Sequence, residues 1–141
     1  MILSHTSEYA LRAVLHLARQ PDDQLARVAD VAAALDIPRN YLSKILHLLA
    51  HAGILASTRG KMGGFRLAVE PREITLLDIV REFEDVNERR QCLLGRAVCS
   101  DRSPCLAHGK WKATSEAVTA FFRDTTILDL LRETLASVDA A

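Results

Sequence analysis

The sequence predicts a mainly α-helical fold with one small β-hairpin. Alanine and leucine are abundant and aromatic residues make up only 5% of the chain, a composition that favours helices. Apolar residues recur at helical spacing in three segments before residue 52, and two strand-like segments separated by a glycine-rich turn follow them. With 49% hydrophobic residues among 141, the chain can bury a core and is not expected to be disordered.

Three helices are predicted in the first third of the chain. Thr6 and Ser7 are expected to cap a first helix that runs to about Arg19. Apolar residues at helical spacing predict a second helix over about 27–35. Pro38 suits the first turn of a third helix, because that position needs no backbone N–H.

Two short strands are predicted next, over residues 54–58 and 64–68. The connection 59–63 is rich in glycine and basic residues, and glycine permits a tight turn. A short helix is expected over 76–84. This order of elements is typical of a winged helix-turn-helix, which we assign to residues 1–84.

The chain changes character after residue 84. Helical periodicity fades over 85–104, and this polar segment is predicted to form a loop. The serine–proline pair at 103–104 predicts the start of a long helix, since serine is a good cap and proline suits the first helical position. We assign residues 105–141 to this long helix and a last, C-terminal helix.

Charge is distributed unevenly along the chain. The 18 basic and 18 acidic residues give a net charge of zero, which alone does not indicate nucleic-acid binding. Residues 37–70, however, contain five basic residues and one acidic residue, a local balance of +4. No apolar stretch approaches the roughly 20 residues of a membrane span, and the first residues do not resemble a secretion signal. We therefore expect a cytoplasmic protein with no membrane contact.

The third predicted helix has an apolar face for the core and a polar face that can contact DNA. Polar side chains on such a helix hydrogen-bond base edges and phosphates in a major groove about 12 Å wide. Basic side chains beside the glycines of the wing can reach phosphates or the minor groove. An ordinary α+β domain with a basic hairpin is the alternative that these residues leave open. The candidate DNA-binding residues are Arg39, Asn40, Tyr41, Ser43, Lys44, Arg59, Gly60, Lys61, Gly63 and Gly64.

All three cysteines lie within one 14-residue window, at Cys92, Cys99 and Cys105, and His108 follows them. An odd number of cysteines in a cytosolic chain argues against a disulfide framework. The gaps are wider than in most zinc sites, whereas cysteine thiolates, sometimes with histidine, hold iron–sulfur clusters. A helix beginning at Pro104 would place Cys105 where the helix dipole stabilises a thiolate. An iron–sulfur site, a metal-free redox thiol switch and a zinc site all stay open. No nucleophile–base pair, phosphate loop or pair of carboxylates indicates an enzyme.

Several segments together resemble the IscR/NsrR family of winged-helix regulators, and the resemblance runs essentially end to end. They are residues 7–12, 38–42, 59–67 and 74–80, together with the three cysteines. The resemblance implies a transcription regulator, expected to be a repressor, that binds a palindromic operator in double-stranded DNA as a homodimer. The wing differs from the usual family pattern, because Lys61 and Met62 stand where a more glycine-rich turn is common.

The same resemblance implies a cofactor and an interface between subunits. The cofactor is an iron–sulfur cluster, 2Fe–2S or 4Fe–4S, on the three cysteines, which sets operator affinity in response to redox state, nitric oxide or iron–sulfur status. Its fourth ligand is either His108 or Glu8 of the partner subunit. Dimerisation through the long helix agrees with an apolar stripe on that helix: Trp111, Val118, Phe121 and Phe122.

Overall fold

A computed structural model describes residues 3–21, 24–86, 92–97 and 100–140, with backbone alone for 134–140. These residues form α-helices, one 3-10 helix and a two-stranded antiparallel sheet, so the predicted mainly α fold with a small β wing is confirmed. No helix within these ranges is long and apolar enough to cross a membrane. The elements are α1 (His5–Ala18), α2 (Val28–Leu35), α3 (Arg39–His51), β1 (Leu55–Thr58), β2 (Gly64–Leu67), the 3-10 helix (Pro71–Glu73), α4 (Leu76–Val80), α5 (His108–Asp124) and α6 (Ile127–Ala140).

The first three helices pack around one hydrophobic core, and α3 shows how the sequence builds it. The buried residues of α3 recur three and four positions apart, which places them on one face of the helix. Burying each large aliphatic side chain of this kind stabilises the fold by about 1.5–3 kcal/mol relative to leaving it exposed. The opposite face of α3 is left to solvent. The buried residues are Leu42, Ile45, Leu46 and Leu49.

Ser4 caps α1, so the prediction that Thr6 or Ser7 would do so was wrong. The Ser4 hydroxyl accepts a hydrogen bond from the Ser7 N–H at 3.2 Å. Ser7 is fully buried, and its hydroxyl donates to the carboxylate of Glu84, which also accepts from the Ser4 N–H at 2.9 Å. Ser7 thus turns toward a residue 77 positions later, a contact that no local pattern reveals.

The wing is a short antiparallel hairpin with a third backbone segment beside it. Leu55 lies opposite Leu67 at the base of the hairpin. On the other edge of β2, Phe65 exchanges two backbone hydrogen bonds with Ala26, at 2.8 and 2.9 Å. A Cβ on Gly64 would lie 2.5 Å from the Ala26 carbonyl oxygen, so this close approach requires glycine. The wing is therefore attached to the segment that leads into α2.

The helix α4 is shorter than the helix predicted over 76–84, because the residues after it form a turn. Its start is well defined: the Thr75 hydroxyl accepts from the Asp78 N–H at 3.1 Å, and the Asp78 carboxylate accepts from the Thr75 N–H at 3.0 Å. The Leu76 N–H donates to the Thr125 carbonyl at 2.9 Å. The winged part of the chain is thereby connected to the junction between α5 and α6.

The helix α5 begins at His108, so the start predicted at Ser103 and Pro104 was wrong. Ser103 does not cap a helix, and its carbonyl instead accepts a hydrogen bond from the Arg96 guanidinium at 2.9 Å. Cys105 precedes α5, with its carbonyl accepting from the His108 N–H at 3.1 Å. The expectation that Cys105 lies in the first turn of a helix is corrected accordingly.

The apolar stripe expected on α5 divides into two sets in the structure. Phe122 is only 4% exposed and packs in the hydrophobic core, and its assignment to a dimer interface stays a prediction. Phe121 is 50% exposed although its ring lies 5.4 Å from that of Phe122. Trp111 and Val118 are half-buried, and Val118 packs against the core. Neighbouring helical residues point about 100° apart, which is why two adjacent phenylalanines separate in this way.

Candidate nucleic-acid interface and cysteine site

The exposed face of α3 presents most of the polar residues that were singled out from the sequence. Arg39, Asn40 and Lys44 are exposed, and Ser43 is half-buried. Their side chains are long, polar or cationic, the kinds that contact base edges and phosphates. Within the described part of the chain, no salt bridge involves Arg39 or Lys44. The face is therefore available to a ligand.

Tyr41 differs from its neighbours on α3, because its ring connects α3 to α1. Its hydroxyl is hydrogen-bonded to the Thr6 hydroxyl. Its ring meets that of Tyr9 edge-on, with the ring centroids 5.7 Å apart. Tyr41 is nevertheless 39% exposed, so it can both position α3 and offer part of its ring to a ligand.

The tip of the wing is a tight turn closed by a hydrogen bond from the Gly63 N–H to the Gly60 carbonyl at 3.0 Å. Arg59 and Lys61 are exposed on this turn, as expected for residues that contact phosphates. Gly63 is buried, and a Cβ at this position would lie 2.1 Å from the Thr58 carbonyl oxygen. The turn can close in this form only with glycine at residue 63.

The substitution Gly63→Ala is expected to weaken DNA binding while leaving the helical core folded. The added methyl group must displace the backbone of Thr58, and a local strain of about 1–3 kcal/mol corresponds to roughly a fivefold to hundredfold loss of affinity if the turn contacts DNA. Fluorescence anisotropy with labelled duplex DNA measures this loss. Gly109→Ala is the matched control, because nothing lies within 4 Å of a Cβ there. Equal affinities for Gly63→Ala and the parent would remove the turn from the interface.

Sequence reasoning missed two contacts that join the wing to the helices. The ring of His47, on α3, lies edge-on to Phe65 of β2 with centroids 5.2 Å apart. Arg27, directly before α2, donates from its Nη2 to the carbonyl of Lys61 at the wing tip. The second contact spans 34 residues, so no periodicity or motif could reveal it. Together these contacts place α3, α2 and the wing next to one another.

The structure brings two of the three cysteines together. Cys92 is buried, at 8% exposure, and its Sγ lies 3.6 Å from the Sγ of the half-buried Cys105. Neither forms a disulfide. Two thiolates bound to one tetrahedral metal with bonds of about 2.3 Å are about 3.8 Å apart, so the pair fits a thiolate-ligated metal centre. Cys99 lies outside the described residues.

The surroundings of Cys92 favour its thiolate form. The backbone N–H groups of Arg96 and Leu94 are the main cause, and they lower the pKa of the Cys92 thiol, with smaller contributions from Cys105 and the Arg96 charge. Burial acts in the opposite direction but does not prevail. A thiolate is the form that binds metal ions and attacks electrophiles. The two sulfur atoms therefore have the chemistry that either a cluster or a thiol switch requires.

The two candidates for a fourth ligand are engaged elsewhere. The Nε2 of His108 lies 2.7 Å from the Asp101 Oδ1, and the Lys112 Nζ lies 3.0 Å from the other carboxylate oxygen. These two contacts lower the pKa of Asp101, His108 contributing most. Glu8 is half-exposed and lies 3.7 Å from the ring of His5. Across the described part of the chain, no three histidine, cysteine, aspartate or glutamate side chains form a metal-binding group.

Comparison with known proteins places this geometry in a family. The chain matches the family described as Rrf2, iron-dependent transcriptional regulator, over residues 3–133. It is 41% identical over 133 residues to an HTH-type transcriptional regulator of Aquifex aeolicus, covering 93% of this chain and 92% of that protein. It is 35% identical over 135 residues to the HTH-type transcriptional regulator NsrR of Halalkalibacterium halodurans, covering 93% of this chain and 90% of NsrR.

The fold is also that of a solved regulator. The structure of CymR, the global cysteine regulator of B. subtilis, superposes with a TM-score of 0.74 at 27% identity, covering 91% of this chain and 94% of CymR. The resemblance inferred from the sequence is thereby confirmed, and the relatives are regulators rather than enzymes. The winged helix-turn-helix is that of a DNA-binding regulator. The chain belongs to the Rrf2 family of iron-dependent transcriptional regulators.

Proposed function

We propose that the chain acts as a homodimer that represses transcription by binding a palindromic operator through α3 and the wing. The observation that supports this most directly is the exposed polar face of α3 beside a basic wing that is attached at β2 and at its tip. Two such units related by a two-fold axis would present two copies of α3 about 34 Å apart, one turn of DNA. In this proposal residues 1–84 bind DNA, 85–104 form the cysteine segment and 105–141 dimerise.

Within each unit, we assign the polar side chains either to base edges or to phosphates, according to their position and charge. We assign Arg39, Asn40 and Ser43 to the major groove, because residues near the start of a recognition helix face base edges. Lys44 and Arg59 are assigned to phosphates, which fix the register of the protein but carry no sequence information. The half-buried Trp111 and the exposed Phe121 are assigned to the dimer contact along α5.

The substitution Arg59→Ala is expected to lower DNA affinity and its dependence on salt. Each lost phosphate contact lowers the slope of log affinity against log salt by about 0.9, so a dimer that loses two contacts changes its slope by about 2. Anisotropy titrations over a salt series measure the slope. Arg72→Ala is the control, since this exposed arginine pairs with Glu70 at 2.9 Å outside the proposed interface. A parental slope in Arg59→Ala would exclude Arg59 from phosphate contact.

We further propose that Cys92, Cys99 and Cys105 hold an iron–sulfur cluster. Support comes from the 3.6 Å separation of the Cys92 and Cys105 sulfur atoms, from the lowered pKa of Cys92 and from the iron-dependent description of the family. When bound, such a cluster supplies iron that exchanges electrons and reacts with oxidants or nitric oxide. The choice of His108 or Glu8 as fourth ligand belongs to this proposal, and His108 would have to leave Asp101 to take that role.

The position of the cysteine pair explains how its state would reach the DNA-binding surface. Cys92 lies after the winged part of the chain, and Cys105 lies three residues before α5. A cluster or a disulfide that joins both sulfur atoms would therefore link the two ends of the segment between the winged part and α5. Opening it releases that constraint and changes how two α5 helices, and with them two copies of α3, are held relative to each other.

The absorption spectrum of protein purified without oxygen, with iron and sulfide assays, tests this proposal. Charge-transfer absorption with stoichiometric sulfide is the expected result, and the band shapes distinguish 2Fe–2S from 4Fe–4S. Addition of nitric oxide or an oxidant, followed by DNA titration, then identifies the signal. Colourless, iron-free protein that also resists reconstitution would overturn the cluster assignment while leaving the DNA-binding assignment intact.

A metal-free thiol switch is the second candidate, because the same two sulfur atoms are close enough to be joined. Oxidation by hydrogen peroxide would convert the two thiols to a disulfide, with the peroxide reduced to two molecules of water. The sulfur atoms would have to approach from 3.6 Å to about 2.05 Å. A mass lower by two hydrogen atoms after hydrogen peroxide treatment of iron-free protein, reversed by a dithiol, is the result expected for this candidate. Zinc held by the cysteines would be detected by assaying zinc alongside iron in the purified protein.

A further inference from the structure

The tip of the wing is a β-turn with two exposed central residues. Lys61 and Met62 occupy the central positions of the turn that the Gly60 carbonyl and the Gly63 N–H close. Met62 is 87% exposed, which is unusual for a large apolar side chain. The orientation of the peptide between the two central residues distinguishes type I from type II turns. Any group that holds the Lys61 carbonyl therefore sets how both side chains are presented.

Arg27 supplies such a group. Its Nη2 donates a hydrogen bond to the Lys61 carbonyl. Arg27 is the N-cap residue of α2, in extended conformation with φ −79° and ψ 145°, and its side chain does not cap the helix. The hydrogen bond to Lys61 directs the guanidinium toward the wing.

The neighbouring residue holds the wing at a second point. Ala26 exchanges two backbone hydrogen bonds with Phe65, in the middle of β2. Two consecutive residues therefore attach the wing: Ala26 at the strand through the backbone and Arg27 at the tip through its side chain. Two attachments restrict rotation of a hairpin, whereas one attachment would leave the tip free to turn.

We infer that Arg27 is a positioning residue for the wing tip: it holds the Lys61 carbonyl so that Lys61 and Met62 meet DNA in one orientation. This inference rests on the proposed DNA-binding role of the wing. A tip ordered in advance loses less conformational freedom on binding than a mobile one, and the affinity rises accordingly. Arginine suits the task because its planar guanidinium stays charged and donates in a fixed direction.

Direct contact of the exposed Arg27 guanidinium with a DNA phosphate is the competing role. The two roles differ in their dependence on salt. Losing one phosphate contact in each subunit lowers the salt slope of a dimer by about 2, because counterions are no longer released there. Losing a positioning contact lowers the affinity at every salt concentration and leaves the slope unchanged. The two roles also differ in the free protein, where only a positioning residue affects the tip.

The experiment compares the parent, Arg27→Gln and Arg72→Gln in the intact protein. The probe is a duplex of roughly 30 base pairs selected by the parent from a random-sequence pool, long enough for two half-sites one turn apart. Hydrogen exchange of the Gly63 amide in the absence of DNA reports the closure of the turn. Arg72→Gln removes the same charge from an arginine that is paired with Glu70, so it controls for net charge.

For Arg27→Gln we expect faster Gly63 exchange and an affinity about threefold to tenfold lower, with the parental salt slope. A slope lower by about 2 with unchanged Gly63 exchange would overturn the inference in favour of a phosphate contact. Unchanged affinity would overturn it as well, whatever the exchange rate. If the parent itself selects no duplex, the proposed function fails. If only the effect of Arg27→Gln is absent, this inference fails alone.

Discussion

The substitution Cys105→Ala is expected to reduce bound iron and sulfide to less than about a tenth of the parental content. Cysteine thiolates hold iron–sulfur clusters, and the loss of one ligand leaves two cysteines in this segment. Cys105 is half-buried and precedes α5, so its side chain contributes little to the helical core and the protein should stay folded. Circular dichroism checks the fold, and iron and sulfide assays with an anaerobic spectrum check the cluster.

Two further variants make this prediction specific. Leu106→Ala is the matched control, because Leu106 is the fully exposed neighbour of Cys105 and should leave the iron content unchanged. His108→Gln and Glu8→Gln, prepared separately, identify the fourth ligand by which of them changes the spectrum. If Cys105→Ala keeps parental iron and sulfide, the assignment of the cluster to the three cysteines is wrong.

The same variant separates the cluster from the thiol switch. Under the cluster proposal, iron-free Cys105→Ala still binds DNA but no longer responds to nitric oxide or oxidant. Under the thiol proposal, the parent has no iron, and Cys105→Ala loses only the peroxide-dependent change in mass and affinity. The lowered pKa of Cys92 keeps its thiolate populated at lower pH than an ordinary thiol. As the pH is lowered, the rate at which Cys92 reacts with an electrophile in iron-free protein should therefore begin to fall at a lower pH than the rate for a model thiol.

The substitution Phe122→Ala is expected to lower the free energy of unfolding by about 3–5 kcal/mol. Phe122 is 4% exposed and packs in the core, so the truncation leaves a cavity that its neighbours fill only in part. This loss is large beside the roughly 5–15 kcal/mol by which domains are stable. Urea unfolding followed by circular dichroism, at one fixed protein concentration, measures the change, since the stability of a dimer depends on concentration.

Phe121→Ala is the matched comparison, because it removes the same side chain from the adjacent position. Phe121 is 50% exposed, so its truncation should cost the single subunit far less. If α5 forms the proposed dimer contact, Phe121→Ala should instead raise the dissociation constant of the dimer, as measured by sedimentation. Equal destabilisation by both variants would contradict the placement of Phe122 in the core and of Phe121 at the surface. An unchanged dimer would remove Phe121 from the interface.

The pattern of apolar residues determined most of the helices and the wing. The core face of α3 could be predicted from spacing alone, since burial demands apolar residues at the period of the helix. The wing turn could be predicted from its glycines, since glycine permits a tight turn. The structure agrees, because Gly63 has no room for a side chain. The start of α5 could not: a serine–proline pair favours a helix locally, but the structure uses the Ser103 carbonyl to accept from Arg96 instead.

The candidate site, too, could be predicted only in part from the sequence. The residue types were visible in the sequence: three cysteines in one polar window, and basic residues beside wing glycines. Which of them meet was not visible. The pairing of Cys92 with Cys105 joins residues 13 positions apart, and the contact of Arg27 with Lys61 joins residues 34 positions apart. Neither segment has a repeat that could predict the distance between its ends.

The sequence by itself determined the kinds of element, their order and the chemistry available in each, because these follow from local propensity and from the period of burial. Only the tertiary structure decided which groups face one another. It placed Ser7 on Glu84 rather than at a helix cap, and it turned Phe122 inward while leaving Phe121 outside. Contacts between distant residues depend on how the helices and the hairpin pack against one another. That packing is a property of the whole chain rather than of any one segment.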